Sequence, residues 1–339
     1  MGRKIVLIPG DGIGPEITDT VKKVVDATGL EIDWDIHHIG LQALSLGKDI
    51  LPPETLDAIR EYGVALKGPC TTPIGEGFSS VNVGLRKELD LYAAVRPVRN
   101  IEGVPSRFEN VNLVIVRENT EGLYSGVENT VSPGVVMSMK VATEKACKRI
   151  AKWAFEYCIK RGRKKITVFH KANIMKVTDG LFISKSRELS KNYKDIKYEE
   201  FIIDAGCMKL VQDPSQFDVL LLENLYGDVI SDLCAGLVGG LGVVPGANIG
   251  DDVAVFEAVH GSAPDIAGKD IANPLAFVMS AVMMFNHIAD KEDKKEFRET
   301  ADKIKEAYNE ALSHDIKTRD LGGTYSTSEF TKELVKLIK

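Results

Sequence analysis

Two carboxylates four residues apart, Asp228 and Asp232, stand in the stretch LLLENLYGDVISDLCAGLVGGLGVVPGANIG over 220–250. A four-residue step is close to one helical turn, so a helix sets both side chains on one face, where their oxygens can converge on a single ion. The apolar LLL before Glu223 reads as a buried strand, and Gly227 followed by Asp fits a helix start at its C-terminal edge. Open α/β sheets keep their ligands at that edge. Taken alone, the same pair also describes a solvated helix face, with Asp228 complementing the helix dipole.

Cations recur in comparable places. In SSVNVGLR over 79–86, Asn82 and Arg86 share a helical face with Ser80 near its start, and the apolar runs 91–95 and 112–116 end in Arg96 and Arg117. An arginine after each apolar run places cations at strand ends, where anions bind. One such arginine would read as surface; three together point to an anionic ligand. Lys171, Asp204 and Glu223 each close a further expected strand, so polar groups gather at one sheet edge. The run His260-Gly261-Ser262-Ala263-Pro264-Asp265 follows another strand, and its small residues would let backbone N–H groups reach phosphate oxygens.

The elements that must position these groups alternate along the chain. Strands are expected over 4–9, 63–67, 166–170, 198–203, 218–222 and 253–259, with helices over 15–27, 53–62, 143–160, 178–190, 207–211, 273–287, 294–312 and 328–338. This βα rhythm implies an α/β fold with a parallel or mixed sheet. The loop Gly10-Asp11-Gly12-Ile13-Gly14-Pro15 invites a dinucleotide fingerprint, but proline stands where the third glycine belongs. Residues 124–139 read as a protruding hairpin arm able to clasp a second protomer.

At 339 residues the chain is long enough for two domains, and 44% hydrophobic with 27% charged residues is ordinary for a globular protein. A net charge of −6 argues against nucleic acid as a partner held by bulk electrostatics. The apolar start IVLIPG is too short for a signal core and the run near 275–285 too short for a membrane span, so a cytoplasmic address without membrane attachment is expected. Cys70, Cys147, Cys158, Cys207 and Cys234 form no CxxC pair and read as reduced thiols.

The segments GDGIGPE, LRKELDLYAAVRP, RENTEGLYSG, HKANIMK, NLYGDVISD, GANIG and HGSAPDIAGKDIANP span essentially the whole chain. Together they resemble the isocitrate/isopropylmalate dehydrogenase family, most of all its NAD-dependent isocitrate dehydrogenases. The resemblance implies a two-domain α/β fold with central mixed sheets that is not a Rossmann fold. Residues 1–97 and 244–339 would form a discontinuous large cofactor-binding domain, and 98–243 a small domain with dimer contacts and a clasp arm at about 122–140. The implied activity is NAD-dependent oxidative decarboxylation of isocitrate to 2-oxoglutarate and carbon dioxide with Mg²⁺ or Mn²⁺. The implied assembly is a homodimer with shared sites, open to higher oligomers.

Position by position, the resemblance assigns Ser80, Asn82, Arg86, Arg96, Arg117 and Asn173 to substrate, Tyr124 and Lys171 to proton transfer, and Asp204, Asp228 and Asp232 to metal. Lys171 and Asp204 would enter from the second protomer. Thr72, His260, Gly261, Ser262, Ala263, Asp265, Ile266 and Asn273 fall to the cofactor. The chemistry is consistent with these roles. Carboxylates select a hard cation, which offsets the charge that develops as a β-keto acid loses carbon dioxide. Three arginines neutralise a tricarboxylate and fix its orientation. Isopropylmalate enzymes resemble this chain but carry leucine where Asn82 stands, so a polar substrate is favoured here; homoisocitrate and 3-isopropylmalate are the alternatives. Relatives that prefer NADP have lysine and tyrosine in place of Asp265 and Ile266, and an acid by the ribose repels a 2′-phosphate, so NAD is expected. A non-catalytic regulatory chain would be the reading from a different class, but such chains lose site residues that are all present here.

Overall fold

The computed structural model describes residues 2–71 and 80–339. From the N-terminus run β1 (Arg3–Ile8), α1 (Gly14–Thr28), β2 (Ile32–Ile36), α2 (Leu41–Ser45), α3 (Pro53–Tyr62), β3 (Val64–Lys67), α4 (Val81–Glu88) and β4 (Ala93–Arg99). The middle of the chain supplies β5 (Asn112–Glu118), β6 (Gly122–Ser132), β7 (Val135–Val141), α5 (Glu144–Arg161), β8 (Lys165–His170), α6 (Thr178–Ser190), β9 (Lys197–Ile202), α7 (Ile203–Gln212), β10 (Val219–Leu222) and α8 (Asn224–Leu237). The chain closes with β11 (Pro245–Ile249), β12 (Ala254–Ala258), α9 (Leu275–Glu292), α10 (Lys295–Ser313) and α11 (Thr327–Ile338).

Local chemistry sets several of these boundaries. Pro15 sits in the first turn of α1, which ends on Gly29 at φ 79°, a left-handed stop. Thr143 caps α5 by accepting from the Ala146 N–H at 3.2 Å, and Ser326 with Glu329 forms a capping box on α11.

Ten strands make one mixed sheet in the order β2-β1-β3-β12-β11-β4-β5-β10-β8-β9, while β6 and β7 pair separately as the arm. Pairing is parallel except at β12-β11-β4-β5, where three antiparallel steps lie side by side. Six neighbouring strands come from the two ends of the chain and four from its middle, and β4 against β5 is the seam. This is not the order of a Rossmann sheet. Helices cover both faces: Ile5, Leu7 and Phe256 pack in one core with α1, α9, α10 and α11, and Val6, Ile8 and Val255 pack on the other side with α3 and α4. In the middle half, Val114, Val116 and Val168 face α5 and α6. No helix among the described residues is long and apolar enough to cross a membrane.

Four local expectations change. β4 runs on to Arg99, which puts Arg96 in mid-strand rather than at a strand end. α7 starts at Ile203, so Asp204 lies in its first turn and does not close β9. α8 starts at Asn224 with Glu223 as its N-cap, one turn earlier than Gly227 suggested, because the Glu223 carboxylate accepts from Leu225 and Tyr226 N–H. β2 and β11 were not expected: IDWDI is half exposed and PGANI carries a proline, a glycine and an asparagine, which masks each as a strand.

Candidate active site

A cavity of about 300 Å³ opens over the seam of the sheet, lined by Ser80, Asn82, Arg86, Arg96, Tyr124, Asp228, His260 and Gly261 together with Lys67, Asn248 and Glu257. Several elements converge at or beside it. Ser80 caps α4, accepting from the Val83 N–H, and the helix then aims Asn82 and Arg86 inward. β4 and β5 deliver Arg96 and Arg117, β6 delivers Tyr124, and α8 delivers Asp228 and Asp232.

The charges on these elements pair across the seam. Arg117, 1% exposed, donates through Nε and Nη2 to Asn224 Oδ1 at 3.0 and 2.7 Å, and through Nη1 to Asp228 Oδ1. Arg96 donates to Ser231 Oγ, reaches Asp232 at 3.4 Å and lies 3.6 Å from Asp228. The Tyr124 hydroxyl donates to Asp228 Oδ2 at 2.5 Å, and the Arg117 guanidinium lies 5.1 Å from the Tyr124 ring centroid. Burial, with Arg86 nearby, lowers the Arg117 guanidinium to about 10, still cationic at neutral pH. Burial alone would raise the Asp228 carboxyl, but Arg117, the Tyr124 hydrogen bond and Arg96 bring it below its ordinary value. Burial and the Asp228 carboxylate raise the Tyr124 phenol, so it stays protonated and able to donate.

Beneath these groups lies a network that the pattern of motifs did not disclose. Glu257 bonds Lys67 at 2.6 Å, Arg86 at 3.2 Å and Asn248 at 2.7 Å, and Asn248 in turn accepts from Asn119 at 3.0 Å. Burial would neutralise both members of the Lys67 and Glu257 pair. Instead Lys67 and Arg86 hold the Glu257 carboxyl well below the usual range, and Glu257 raises the Lys67 ammonium. The signal was there to read: a lysine closing the buried run VALK and a glutamate inside the apolar run AVFEA.

Three residues that line the cavity carry buried polar atoms without partners. Asn82 Oδ1, Arg86 Nε and His260 Nε2 are enclosed without a hydrogen bond. Buried polar atoms are ordinarily satisfied, so their arrangement suits a polar ligand. His260 is held neutral by burial. Ser262 meets Thr71 through their hydroxyls at 2.5 Å, and the Ile13 N–H donates to the Ser262 carbonyl at 2.9 Å. Gly12 has φ +60°, and a Cβ there would stand 2.0 Å from the Ser262 oxygen, so only glycine lets the 10–15 loop press against the 260–263 segment. Asp265 is exposed beside the half-buried Ile266, and Asn273 donates to Asp320 at 2.9 Å. Thr72 lies outside the described residues.

The remaining expected residues stand apart. Lys171 and Asp204 form an ion pair with each other, which lowers the Asp204 carboxyl, and Asn173 is exposed beside them. Around them Ile174, Met175, Val177, Ile202, Met208 and Val211 are exposed apolar residues. Asp228 and Asp232 offer hard oxygens suited to Mg²⁺ or Mn²⁺, but among the described residues of one chain no group of three or more His, Cys, Asp or Glu converges on an ion position. Of the three expected acids, Asp228 lines the cavity, Asp232 borders it through Arg96, and Asp204 lies apart.

Comparison with known proteins adds descent to geometry. Residues 4–334 match the family model described as isocitrate/isopropylmalate dehydrogenase. The chain is 51% identical over 330 residues to a mitochondrial NAD isocitrate dehydrogenase catalytic subunit of Arabidopsis thaliana, covering 97% of this chain and 86% of that protein. It is 50% identical over 337 residues to a mitochondrial NAD isocitrate dehydrogenase regulatory subunit of Dictyostelium discoideum, covering 99% and 92%. The crystal structure of isocitrate dehydrogenase from Methylococcus capsulatus superposes with a TM-score of 0.93 at 47% identity, covering 100% of this chain and 99% of that one.

Proposed function

The chain belongs to the isocitrate/isopropylmalate dehydrogenase family, and from that premise we propose that it is a catalytic NAD-dependent isocitrate dehydrogenase, which oxidises isocitrate and releases carbon dioxide to give 2-oxoglutarate. The observation that carries this reading is the single cavity in which Asn82, Arg86, Arg96, Tyr124 and Asp228 meet.

Arg86, Arg96 and Arg117 would hold the substrate carboxylates, with Ser80 and Asn82 setting the remaining polar contacts. The ion pairs within the cavity support an exchange of partners. A tricarboxylate takes the arginines from Asp228 and Asp232, and those acids are freed for a divalent cation. No charge is stranded at any point in that exchange. A Mg²⁺ or Mn²⁺ ion held by Asp228 and Asp232, with Asp204 of a second copy, would supply a positive centre for the oxygen charge of the reaction. Lys171, also from a second copy and beside Asn173, takes the hydroxyl proton, and Tyr124 returns a proton to carbon after decarboxylation. NAD would lie along His260, Gly261, Ser262 and Ala263 with Asn273 and Thr72, its ribose hydroxyls donating to Asp265 beside Ile266. The seam between β4 and β5 favours domain boundaries near residues 97 and 243, with the 122–140 arm joining two copies into a homodimer.

The likeness to a regulatory chain favours one second reading, a protein that binds these ligands but turns over only beside a different partner chain. The test is NADH formation by the purified chain with isocitrate, homoisocitrate or 3-isopropylmalate and Mg²⁺. Turnover greatest with isocitrate supports the proposal. Turnover greatest with another acid overturns the substrate, and none with any of them favours the regulatory reading.

A further inference from the structure

A second cavity, of about 370 Å³, lies on the opposite face of the same strands. Side chains alternate along a strand, so neighbours in sequence face opposite ways. Arg96, Asn248 and Glu257 face the candidate active site, while Val95, Pro97, Ile249 and Phe256 form the floor of this groove. One wall is α5, from the middle of the chain, where Trp153 and Tyr157 stack at 5.2 Å and 21°. The other is α9, from the C-terminal segment, with Met283 and His287. A volume of 370 Å³ falls within the roughly 300–1,000 Å³ typical of small-molecule sites.

Three features define an occupant. The apolar floor between an aromatic pair and a methionine suits a flat ring. His287 lines the groove wall, and its buried Nε2 has no hydrogen-bond partner. At the mouth one carboxylate, Asp290, is shared by Lys160 at 3.0 Å, Arg161 at 3.1 Å and Arg298, which leaves an excess of positive charge. Glu156, at the same rim, is matched by Lys152 at 3.6 Å.

We propose that this groove is a second ligand site, for a small flat aromatic anion whose ring lies on the Val95, Ile249 and Phe256 floor, whose polar edge meets His287, and whose charge meets Lys160 and Arg161. The proposal does not rest on the catalytic reading: Ala247 borders both cavities, but Val95, Ile249, Phe256, His287, Lys160 and Arg161 line only this one.

The probe is anilinonaphthalene sulfonate, a flat aromatic anion, titrated into the full chain. The expected result is saturable binding of one dye per chain. The chain has two tryptophans, Trp34 and Trp153; dye should quench emission in Trp34→Phe protein but not in Trp153→Phe protein. His287→Phe and Arg161→Glu should each weaken binding by about fivefold or more with circular dichroism unchanged. Met283→Trp, which fills the groove without removing a polar group, should also abolish it. No saturable binding below about 1 mM, or equal affinity in all three groove variants, overturns the proposal.

Discussion

Tyr124 and Asp228 meet at 2.5 Å with Arg117 against both, so the phenol is both raised by burial and aimed. If it returns the proton to carbon, Tyr124→Phe should lower kcat by about 10²–10⁴ while KM for isocitrate moves far less, measured by steady-state NADH formation. If Asp265 receives the ribose hydroxyls as proposed, Asp265→Lys with Ile266→Tyr should shift the ratio of NAD to NADP turnover toward NADP, and an unchanged ratio counts against the ribose assignment. The Lys67 and Glu257 pair is a stability element under the site. Glu257→Gln strands a buried ammonium and should cost about 3–5 kcal/mol in urea unfolding. Because the Glu257 carboxyl is lowered in the folded chain, its contribution is full above the ordinary value of about 4.3 and drains as pH falls through the lowered one. The wild type should therefore lose stability in acid more steeply than the variant. The meeting of Arg86, Arg96 and Asp228 was legible from the arginines and acids at helix spacing and after apolar runs, whereas the place of Asp204 was not. The Lys67, Glu257 and Asn248 network was not legible either, because Lys67 is remote in sequence from the other two and all three become neighbours only through the β3-β12-β11 pairing.

At the scale of elements, α8 carries Asp228 and Asp232, and its packing is unusually tight at Gly227. Alanine in a helix interior normally gains about 1 kcal/mol over glycine. Here a Cβ would stand 2.5 Å from Arg117 Cγ and 2.6 Å from its Cβ, so the arginine stem and its guanidinium must move. Gly227→Ala should thus destabilise the fold rather than help it, and should raise KM for isocitrate; a higher thermal midpoint with unchanged KM would refute that packing argument. Sequence read Gly227 as a helix start because glycine before aspartate is a turn signal. The cap falls to Glu223, whose carboxylate satisfies two N–H groups and also lies 3.4 Å from Lys140 of the arm. The arm itself was legible from its turn residues and alternating β-formers, and it leaves Val127, Val131, Val135, Val136, Met137 and Met139 exposed. β11 was missed, yet by pairing with both β12 and β4 it is the strand that ties β4, at the seam, to the rest of its half of the sheet.

For the whole molecule, one chain leaves the proposed site divided. Asp228 and Asp232 line or border the cavity, while Lys171 and Asp204 pair with each other on a surface of exposed apolar side chains. Descent was readable from end to end, since the family segments run the length of the chain. Which residues share one chain's cavity was not, because spacing along the sequence carries no information about a second copy. The decisive measurement is complementation. Asp228→Asn and Asp204→Asn chains with different tags are co-expressed, and the hybrid dimer carrying both tags is isolated. Each variant alone should be nearly inactive, and the hybrid, with one intact site and one doubly altered site, should show about half the wild-type rate of isocitrate-dependent NADH formation. A hybrid as inactive as its parents would contradict a site completed by a second copy.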